Sequence, residues 1–475
     1  MLPPVPSPAD YDISPDHGFL SPETPLEVLP DPYYAQWEAI VLNLQPLLLS
    51  KRIRMVVNRL PVLSTVHLQT DAEWRRAYVV LVFMLHGYVW GGDRPAEVDH
   101  SSPIDHPLFE VCERLEVPPV ATYAGVCLWN YKPIFPDEPT GDLDNLACLQ
   151  TFTGSLDEQW FYLVSVAIEA RGAPSIPLML QAITAARVGM AKVVTECLQQ
   201  LAEILDEITA LLQRMYDNCD PYIFYNRIRP YLAGSKNMAD AGLPKGLLYD
   251  DGRGAPEYRQ YGGGSNAQSS LIQFFDIVLG IEHRPTGVSR NDSASTKSRH
   301  GFIHEMRAYM PGPHRRFLED VGSIANIRAF VESHRADPVL RVAYDACLDR
   351  LRAMRDAHIQ IVSRYIIVQS RARTSQPVSP SRPAAKNLAT AAPPDSKKLR
   401  GTGGTALIPF LKQARDETHE PAIDAWTLRV LNKGHADLSS ASLSKVGEHP
   451  DGHLEVVGLC GKWTMDDSEG GICHW

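Results

Sequence analysis

The segment 344–368 constrains the fold more than any other part of the chain, because it predicts a long helix with one buried face. Apolar side chains recur there in steps of three and four, and this spacing places them on one side of an α-helix. One stripe position is taken by a histidine, where an aliphatic residue is the usual occupant. The stripe comprises Tyr344, Cys347, Leu351, Met354, His358, Ile361 and Tyr365, and the opposite side carries Asp349, Arg352, Asp356 and Arg364.

The position of His358 leaves two interpretations open. It can be a core histidine whose ring is satisfied by a hydrogen bond, which is the commoner situation for a polar side chain on an apolar face. It can also be the single axial ligand of a haem iron, a role that needs one neutral imidazole held rigidly on a helix. Spacing alone does not decide between them.

Composition and charge exclude several classes of protein. A chain of 475 residues is long enough for two or more domains and a large core. The net charge is −10 and no basic stripe is evident, so we expect no nucleic-acid partner. No run approaches the roughly 20 apolar residues of a membrane span, and the N-terminus lacks the pattern of a signal peptide. The eight cysteines form no CxxC pair, which favours reduced thiols in a cytoplasmic protein.

Helical periodicity dominates the chain and few segments are typical of strands, so the predicted fold class is all-α. Two polar, turn-rich segments, 283–299 and 369–400, are expected to be flexible. The predicted helices cover 34–48, 73–85, 107–115, 157–171, 176–187, 188–217 and 222–232. The expected organisation is an extended proline-rich lead-in at 1–30, a small helical domain at 31–119, an interdomain connection at 120–156, a large helical domain at 157–415 and a polar tail at 416–475.

A glycine–serine stretch, YGGGSNAQSS at 261–270, precedes an apolar helix pattern. Glycines followed by Ser265, Asn266 and Gln268 at a helix start could present free backbone N–H groups to an anion. A capped helix start without a ligand explains the stretch equally well. No GK[ST] follows, so the stretch is not a phosphate-binding P-loop.

Asp276 lies inside that apolar helix pattern, and a buried aspartate needs a cation or several hydrogen-bond donors. Arg355 stands three residues before His358 on nearly the same face of its helix. We therefore predict an ion pair between Asp276 and Arg355 that joins the two helices.

Phe224 and Arg229 form the third candidate site, within FYNRIR at 224–229. A guanidinium can take a carboxylate by two hydrogen bonds while an aromatic ring packs against an aromatic substrate. Five residues on an ideal α-helix correspond to about 140°, so the two side chains would border one pocket only from its rim. A surface arginine and a core phenylalanine are the simpler explanation.

The other histidines are weaker candidates. His86 ends an apolar run and is expected in the core, whereas His314 follows two prolines and is expected to cap a helix or lie at the surface. His300 and His304 border the first flexible segment. None of these histidines belongs to an HExxH motif or to a two-histidine, one-carboxylate pattern.

Taken together, the motifs resemble the indoleamine 2,3-dioxygenase family from about residue 11 to about residue 412. The order and number of the matching motifs make the resemblance specific. They are HGYVWG at 86–91, PPVATYAGVCLWNY at 118–131, FYLVSVAIE at 161–169, FYNRIRPYLAG at 224–234, GGSNAQSS at 263–270, FDIVLGI at 275–281, YMPGPHRRFL at 309–318, the AYDAC and HIQIVSRYI parts of the long helix, and GTGGT at 401–405.

The resemblance implies a small helical domain and a large helical domain that holds one haem b, active as Fe(II). His358 would be the proximal iron ligand, with Arg355, Asp276 and Ser265 near the cofactor. Phe224 and Arg229 would contact the substrate, and Thr402 would close over the site. Four further residues, together with Ser265, would line the pocket: Tyr123, Val126, Phe161 and Gly264. Ser165 would lie on the distal side and act at most as an orienting group.

The implied reaction inserts both atoms of O2 across the indole C2–C3 bond of L-tryptophan to give N-formylkynurenine, the first step of the kynurenine pathway toward NAD. The resemblance further implies an electron donor, a cytoplasmic location, no membrane and a monomer. The alternative is an oxygen-binding haem protein of the same fold with little turnover, and a third possibility is a helical scaffold without haem. Some positions depart from the family pattern, namely Tyr225, Asn266, Ala267 and Val126, so the substrate range stays open.

Overall fold

The computed structural model describes most of the chain in detail. The described residues are 3–92, 102–287, 301–374, 401–402 and 406–423, together with three short strands between 446 and 465. The side chains of 372–374 and of the three strands lie outside this description. Most of the segments predicted to be flexible also lie outside it, but residues 369–374 are helical.

The chain divides into two compact units, Met1–Pro421 and Ala422–Trp475. In the second unit the described strands form an antiparallel sheet in the order β5-β6-β7. These strands are β5 (Val446–Glu448), β6 (Leu454–Gly458) and β7 (Gly461–Met465). The further division of the first unit into a small and a large domain stays a prediction.

The first unit is built from helices, which confirms the predicted all-α class. Short connections and single helical turns join the longer helices. In chain order the α-helices are α1 (Ala35–Leu42), α2 (Leu44–Leu49), α3 (Ile53–Val57), α4 (Asp71–Trp90), α5 (Asp105–Leu115), α6 (Leu156–Gly172), α7 (Ser175–Arg187), α8 (Ala191–Gln213), α9 (Met215–Asn218), α10 (Pro221–Ile223), α11 (Ser270–Leu279), α12 (Phe302–Met306), α13 (Gly312–Ile324), α14 (Ile327–Ser333), α15 (Pro338–Val362), α16 (Gln369–Thr374) and α17 (Leu407–Thr418).

Two small antiparallel hairpins are the only strands described in the first unit. The first pairs β1 (Tyr131–Pro133) with β2 (Leu146–Cys148) inside the predicted connection at 120–156. The second pairs β3 (Leu247–Tyr249) with β4 (Glu257–Arg259) just before the glycine–serine stretch. Each strand of the two hairpins has only three residues, so the hairpins order the loops that contain them and the fold class stays all-α.

Helix α4 crosses the core and is longer than the predicted 73–85. Thr70 starts it with a capping box, because its side chain accepts from the Glu73 N–H while the Glu73 carboxylate accepts from the Thr70 N–H. Every side chain from Arg75 to Val89 is buried. A helix that is apolar on nearly all sides belongs in the interior of a large domain.

Helices α6 and α7 agree with the predicted 157–171 and 176–187. Residues Leu156–Arg187 are also long and apolar enough, by length and composition, to be a candidate membrane span. The stretch is two helices separated at Ala173 and Pro174, and 72% of its apolar window is buried inside the fold. It is therefore accounted for by core helices, which pass the same test.

Helix α15 packs along α8 and carries the histidine stripe as far as Ile361, whereas the last member, Tyr365, lies in the π-helical turn Ser363–Val368 that follows. Asp337 caps it by accepting from the N–H groups of Val339 and Leu340, at 3.0 and 3.1 Å. The predicted apolar stripe is buried, with His358 as its half-buried member. Arg352, expected on the exposed side, is buried as well because α17 packs over that part of α15.

Two predicted helices are interrupted. The predicted helix 34–48 breaks at Asn43, because Pro46 has no N–H with which to bond the carbonyl of Leu42. The predicted helix 188–217 starts at Ala191 and is interrupted at Arg214 before a last short turn.

The lead-in before residue 31 is part of the core. Phe19 and Leu20 are buried, and the Phe19 ring meets the His314 ring edge-on at 5.0 Å. The prediction that His314 lies at the surface is wrong, since only 4% of its surface is exposed. This burial lowers the pKa of His314 to about 3. His86 is in the core as predicted, where its Nε2 accepts from the Ala121 N–H at 2.9 Å.

The end of the first unit lies beyond the predicted boundary at residue 415. Helix α17 continues to Thr418, and Glu417, Thr418 and His419 are all buried. Residues 416–421 therefore belong to the helical unit and not to a polar tail.

Candidate active site

A cavity of about 240 Å³ lies inside the helical unit, between α6, α15 and α17. Its walls are mainly apolar, and a few polar side chains converge on it, which is the usual character of a small-molecule site. Every residue proposed from the sequence for the site lines this cavity. They are Tyr123, Val126, Phe161, Ser165, Phe224, Arg229, Gly264, Ser265, Asp276, Arg355, His358 and Thr402. The roles of these residues stay predictions.

Three π-helical turns in the described part of the chain each present side chains to the cavity. They are Ala124–Leu128, Phe224–Ile228 and Ser363–Val368. In a π turn the backbone hydrogen bond joins residues five apart, and such turns recur at functional sites. The widened turn thus brings side chains together that a regular α-helix would separate.

The second π turn corrects the expected relation of Phe224 and Arg229. The N–H of Arg229 bonds to the carbonyl of Phe224, so the two residues stand one turn apart on the same side. Both line the cavity. The Phe224 ring lies 4.7 Å from the Phe161 ring, centroid to centroid, which makes an aromatic wall.

Arg229 is one of the largest fully buried side chains, with 2% of its surface exposed. Burial lowers its pKa to about 10, although the nearby Tyr225 acts in the opposite direction. The guanidinium therefore keeps its charge at neutral pH, and its central carbon lies 5.3 Å from the Tyr225 ring centroid. A buried cation at the wall of a cavity suits an anionic ligand group.

His358 faces the cavity from α15 and is half-buried. Burial, together with the nearby Arg355 guanidinium, lowers its pKa to about 4. The imidazole is therefore neutral at neutral pH, which is the form that binds a metal. Burial makes His86 and His314 neutral as well, but neither lines the cavity, so it is the position of His358 that favours the ligand interpretation.

The predicted ion pair between Asp276 and Arg355 is present. Arg355 Nη2 donates to both carboxylate oxygens of Asp276, at 2.7 and 2.8 Å, and Nη1 donates to Thr418 on α17. Although burial alone raises the pKa of the Asp276 carboxyl, Arg355 and His283 outweigh it and lower that pKa. The carboxylate is therefore charged and fully engaged.

His283 extends this network and was not identified from the sequence. Its Nε2 lies 3.0 Å from Asp276 Oδ2, and its Nδ1 lies 2.8 Å from Glu417 Oε2. Burial alone would lower the pKa of His283, but the Asp276 and Glu417 carboxylates outweigh that effect and raise it. His283 lies in the segment expected to be flexible and Glu417 in the expected tail, so sequence separation concealed the contact.

The glycine–serine stretch forms a tight turn against Thr402. Thr402 Oγ1 donates to the carbonyl of Gly264 at 2.5 Å, and the Gly263 N–H donates to the carbonyl of Thr402 at 3.0 Å. A Cβ atom added at Gly263 would lie 2.0 Å from the carbonyl oxygen of Leu232, so this position requires glycine.

The backbone N–H groups that could bind an anion at this stretch are partly occupied. The N–H groups of Ala267 and Gln268 bond to Ser265, and the N–H of Ser269 bonds to Asn266. Helix α11 starts later, at Ser270, where Ser269 is the cap. Most of the expected donors therefore stabilise the turn itself.

Glu169 is the second residue that sequence reasoning missed. It stands one helical turn after Ser165 and accepts hydrogen bonds from Tyr123 and Ser269, both of which line the cavity. The signal was present in FYLVSVAIE at 161–169, where a glutamate interrupts an apolar helix.

Comparison with known proteins identifies the family of the chain. The family model described as "Indoleamine 2,3-dioxygenase" matches residues 7–421, which is nearly the whole helical unit. An indoleamine 2,3-dioxygenase of Penicillium citrinum is 41% identical over 417 residues, 86% of this chain and 87% of that protein. One of Saccharomyces cerevisiae is 41% identical over 436 residues, 87% and 93%. A 6-hydroxytryptophan 2,3-dioxygenase of Fusarium equiseti is 38% identical over 410 residues, 86% and 96%.

These similarities define the class of the protein as an oxidoreductase that acts as a dioxygenase. The chain belongs to the indoleamine 2,3-dioxygenase family.

Proposed function

We propose that the chain is a haem-dependent dioxygenase that converts L-tryptophan to N-formylkynurenine. The observation that carries this proposal is one cavity with a neutral histidine on one wall and a buried, charged arginine beside an aromatic wall. The neutral histidine suits the role of an iron ligand, and the arginine beside the aromatic wall suits the binding of an aromatic amino acid.

The residues present fit a haem group. His358 offers a neutral imidazole to the cavity, and the surrounding walls are apolar apart from a few converging groups. His358 would be the protein ligand of the iron, and Arg355 would offer its charge near the acidic side groups of the ring. When bound, haem supplies the iron at which dioxygen reacts with the indole, and the protein supplies binding and orientation.

Arg229 orients the substrate by holding its carboxylate. A guanidinium makes two parallel hydrogen bonds with a carboxylate, and burial strengthens the pair because water does not compete. Phe224 and Phe161 then contact the indole ring, so the reacting C2–C3 bond has one orientation. Positioning of this kind accounts for large rate effects.

Ser165 and Tyr123 supply hydroxyl groups at the cavity wall, and neither needs to act as a base. The Tyr123 hydroxyl is already committed to Glu169 at 3.0 Å. Thr402 and α17 cover the cavity from the side of the glycine–serine turn, where they exclude water.

The overall reaction is balanced by one substrate molecule and one O2, because the C2–C3 double bond is cleaved and each carbon receives one oxygen atom. The presence of Phe224, Arg229 and Thr402 in one cavity favours turnover over simple oxygen binding.

The proposal includes an electron donor that keeps iron ferrous, a monomeric state and a cytoplasmic location. It also includes the first step of the kynurenine pathway toward NAD.

Absorption spectroscopy of the purified protein tests the haem part of the proposal. We expect a Soret band in the wild type and its loss in His358→Ala, with circular dichroism showing that the variant remains folded. His314→Ala is a matched control, because His314 is also buried and neutral but does not line the cavity. A folded wild-type protein without a Soret band would overturn the proposal.

A further inference from the structure

A buried glutamate behind the cavity wall has no part in the function described so far. Glu169 lies on α6 with 1% of its surface exposed. Its Oε1 accepts from the Tyr123 hydroxyl at 3.0 Å and from the Ser269 hydroxyl at 2.6 Å. Both donors line the cavity, so this one oxygen atom connects two parts of the wall.

The contacts of Glu169 join three separate elements. Helix α6 carries Ser165 and Phe161 one and two turns earlier. Tyr123 immediately precedes the first π turn, and its N–H donates to Gln268 Oε1 at 2.8 Å. Ser269 caps α11 by accepting from the Ile272 N–H at 3.2 Å. Movement of the carboxylate would therefore move the π turn, the glycine–serine turn, or both.

The environment of Glu169 is unusual for a purely structural group. Its Oε2 is buried and has no hydrogen-bond partner among the residues that the structure describes, whereas nearly all buried polar atoms have one. Burial raises its pKa to about 7, although the hydrogen bonds from Ser269 and Tyr123 lower it in part. Of the titratable groups around it, Tyr123 and Cys127 both have raised pKa values, with burial as the main cause and Glu169 as a further one.

Glu158 on the same helix shows what a structural glutamate looks like. It is fully buried, and both of its oxygens are occupied: Oε1 accepts from the Phe152 N–H and the Tyr162 hydroxyl, and Oε2 accepts from Thr153. It does not line the cavity or contact a residue that does so through its hydrogen bonds. Glu158 serves as the control for Glu169.

We infer that Glu169 is a positioning residue for the substrate. Through its hydrogen bonds with Tyr123 and Ser269 it holds two parts of the cavity wall in position to contact the indole ring. The inference rests on the proposed function and names a further residue of the same site. Glu169 does not touch the substrate and exchanges no proton with it. Its contribution is to KM, because the walls it holds contact the substrate in the ground state as well as during the reaction.

Steady-state kinetics of the holoenzyme, normalised to haem content, test this role. Glu169→Ala removes the acceptor, and we expect the KM for L-tryptophan to rise about tenfold while kcat changes by less than about threefold. Glu169→Gln keeps an acceptor oxygen at Oε1 and should restore a KM near that of the wild type. Tyr123→Phe removes one of the two donors and should raise KM less than Glu169→Ala does. Glu169→Ala should then raise KM by a smaller factor in the Tyr123→Phe background than in the wild type, because only the Ser269 contact remains to be lost.

The control variant separates positioning from stability. Glu158→Gln should lower the midpoint of thermal unfolding without changing KM. An unchanged KM in Glu169→Ala would overturn the inference, and so would a parallel loss of haem, kcat and stability that Glu169→Gln fails to rescue. If Glu169→Ala does not fold, Tyr123→Phe and Ser269→Ala take its place, because each removes one donor to Glu169 Oε1. A raised KM in both variants supports the inference, and an unchanged KM in both overturns it.

Calorimetric titration of wild-type holoenzyme with L-tryptophan distinguishes this inference from the proposed function. If the wild type neither binds nor converts tryptophan, the proposed function fails and the role of Glu169 fails with it. If the wild type binds and converts tryptophan but Glu169→Ala binds it equally well, only the role of Glu169 is wrong.

Discussion

Arg355 donates to both carboxylate oxygens of Asp276, at 2.7 and 2.8 Å, and this pair fastens α11 to α15 one turn from His358. Both side chains are buried and both line the cavity. A buried ion pair is costly to assemble, but removal of one partner leaves an unpaired charge in the interior. The pair therefore couples the stability of the fold to the position of the helix that carries the histidine.

Arg355→Leu should destabilise the protein by about 3–5 kcal/mol and lower its haem content, because the Asp276 carboxylate is left buried with less compensation. Chemical denaturation and the Soret absorbance per chain measure the two effects. Arg350→Leu on the same helix is the control, since the Arg350–Asp206 pair is about half exposed and its loss should cost no more than about 1 kcal/mol. Equal stability of the two variants would contradict the role of the buried pair.

Arg229→Ala should retain haem and lose at least about a hundredfold in kcat/KM for L-tryptophan, as expected for the loss of a buried charge pair. Tryptamine, which lacks the carboxylate, should be a poor substrate of the wild type and should be affected little by the substitution. The exposed neighbour Arg227 provides the control variant Arg227→Ala. An unchanged preference for tryptophan over tryptamine in Arg229→Ala would contradict a contact between Arg229 and the substrate carboxylate.

The histidine stripe and the Asp276–Arg355 pair could be predicted from the sequence because each depends on helix periodicity and on the cost of burying a charge. The shared face of Phe224 and Arg229 could not, because it depends on a shift of one residue in the backbone hydrogen bonds. Apolar periodicity is nearly the same for an α-helix with and without such a turn. Tertiary packing selects between them.

The network around His283 was missed for a different reason. His283 and Glu417 are 134 residues apart and meet only through the fold, at 2.8 Å. Each lies in a polar stretch whose composition is typical of surface loops. Composition describes the segment as a whole and does not indicate that one side chain turns into the interior.

His283→Gln should reduce stability most at low pH. The Asp276 and Glu417 carboxylates raise the folded-state pKa of His283 above its ordinary 6.5 despite burial. The contribution is therefore fully present below pH 6.5 and is lost as pH rises through the folded-state value. Thermal unfolding of both proteins from about pH 6 to about pH 9 should show a difference that shrinks with pH. A difference that grows with pH would contradict a charged His283, and the exposed His67 gives the control His67→Gln.

The end of the helical unit can be located by truncation. A chain that ends at Ile423 should keep the unfolding midpoint and kcat/KM of the full chain, because the family match and the first compact unit both end at residue 421. A chain that ends at Arg415 loses the buried Glu417 and Thr418 and should be markedly less stable. Equal behaviour of the two truncations would show that the last turn of α17 is dispensable.

Oxygen-isotope labelling tests the central claim most directly. Reduced holoenzyme is mixed with L-tryptophan under ¹⁸O2, and the product is analysed by mass spectrometry. The account predicts N-formylkynurenine that carries two labelled oxygen atoms, formed by the wild type and not by folded His358→Ala. A product with one labelled oxygen atom, or the absence of product from haem-loaded, reduced wild-type protein, would contradict it.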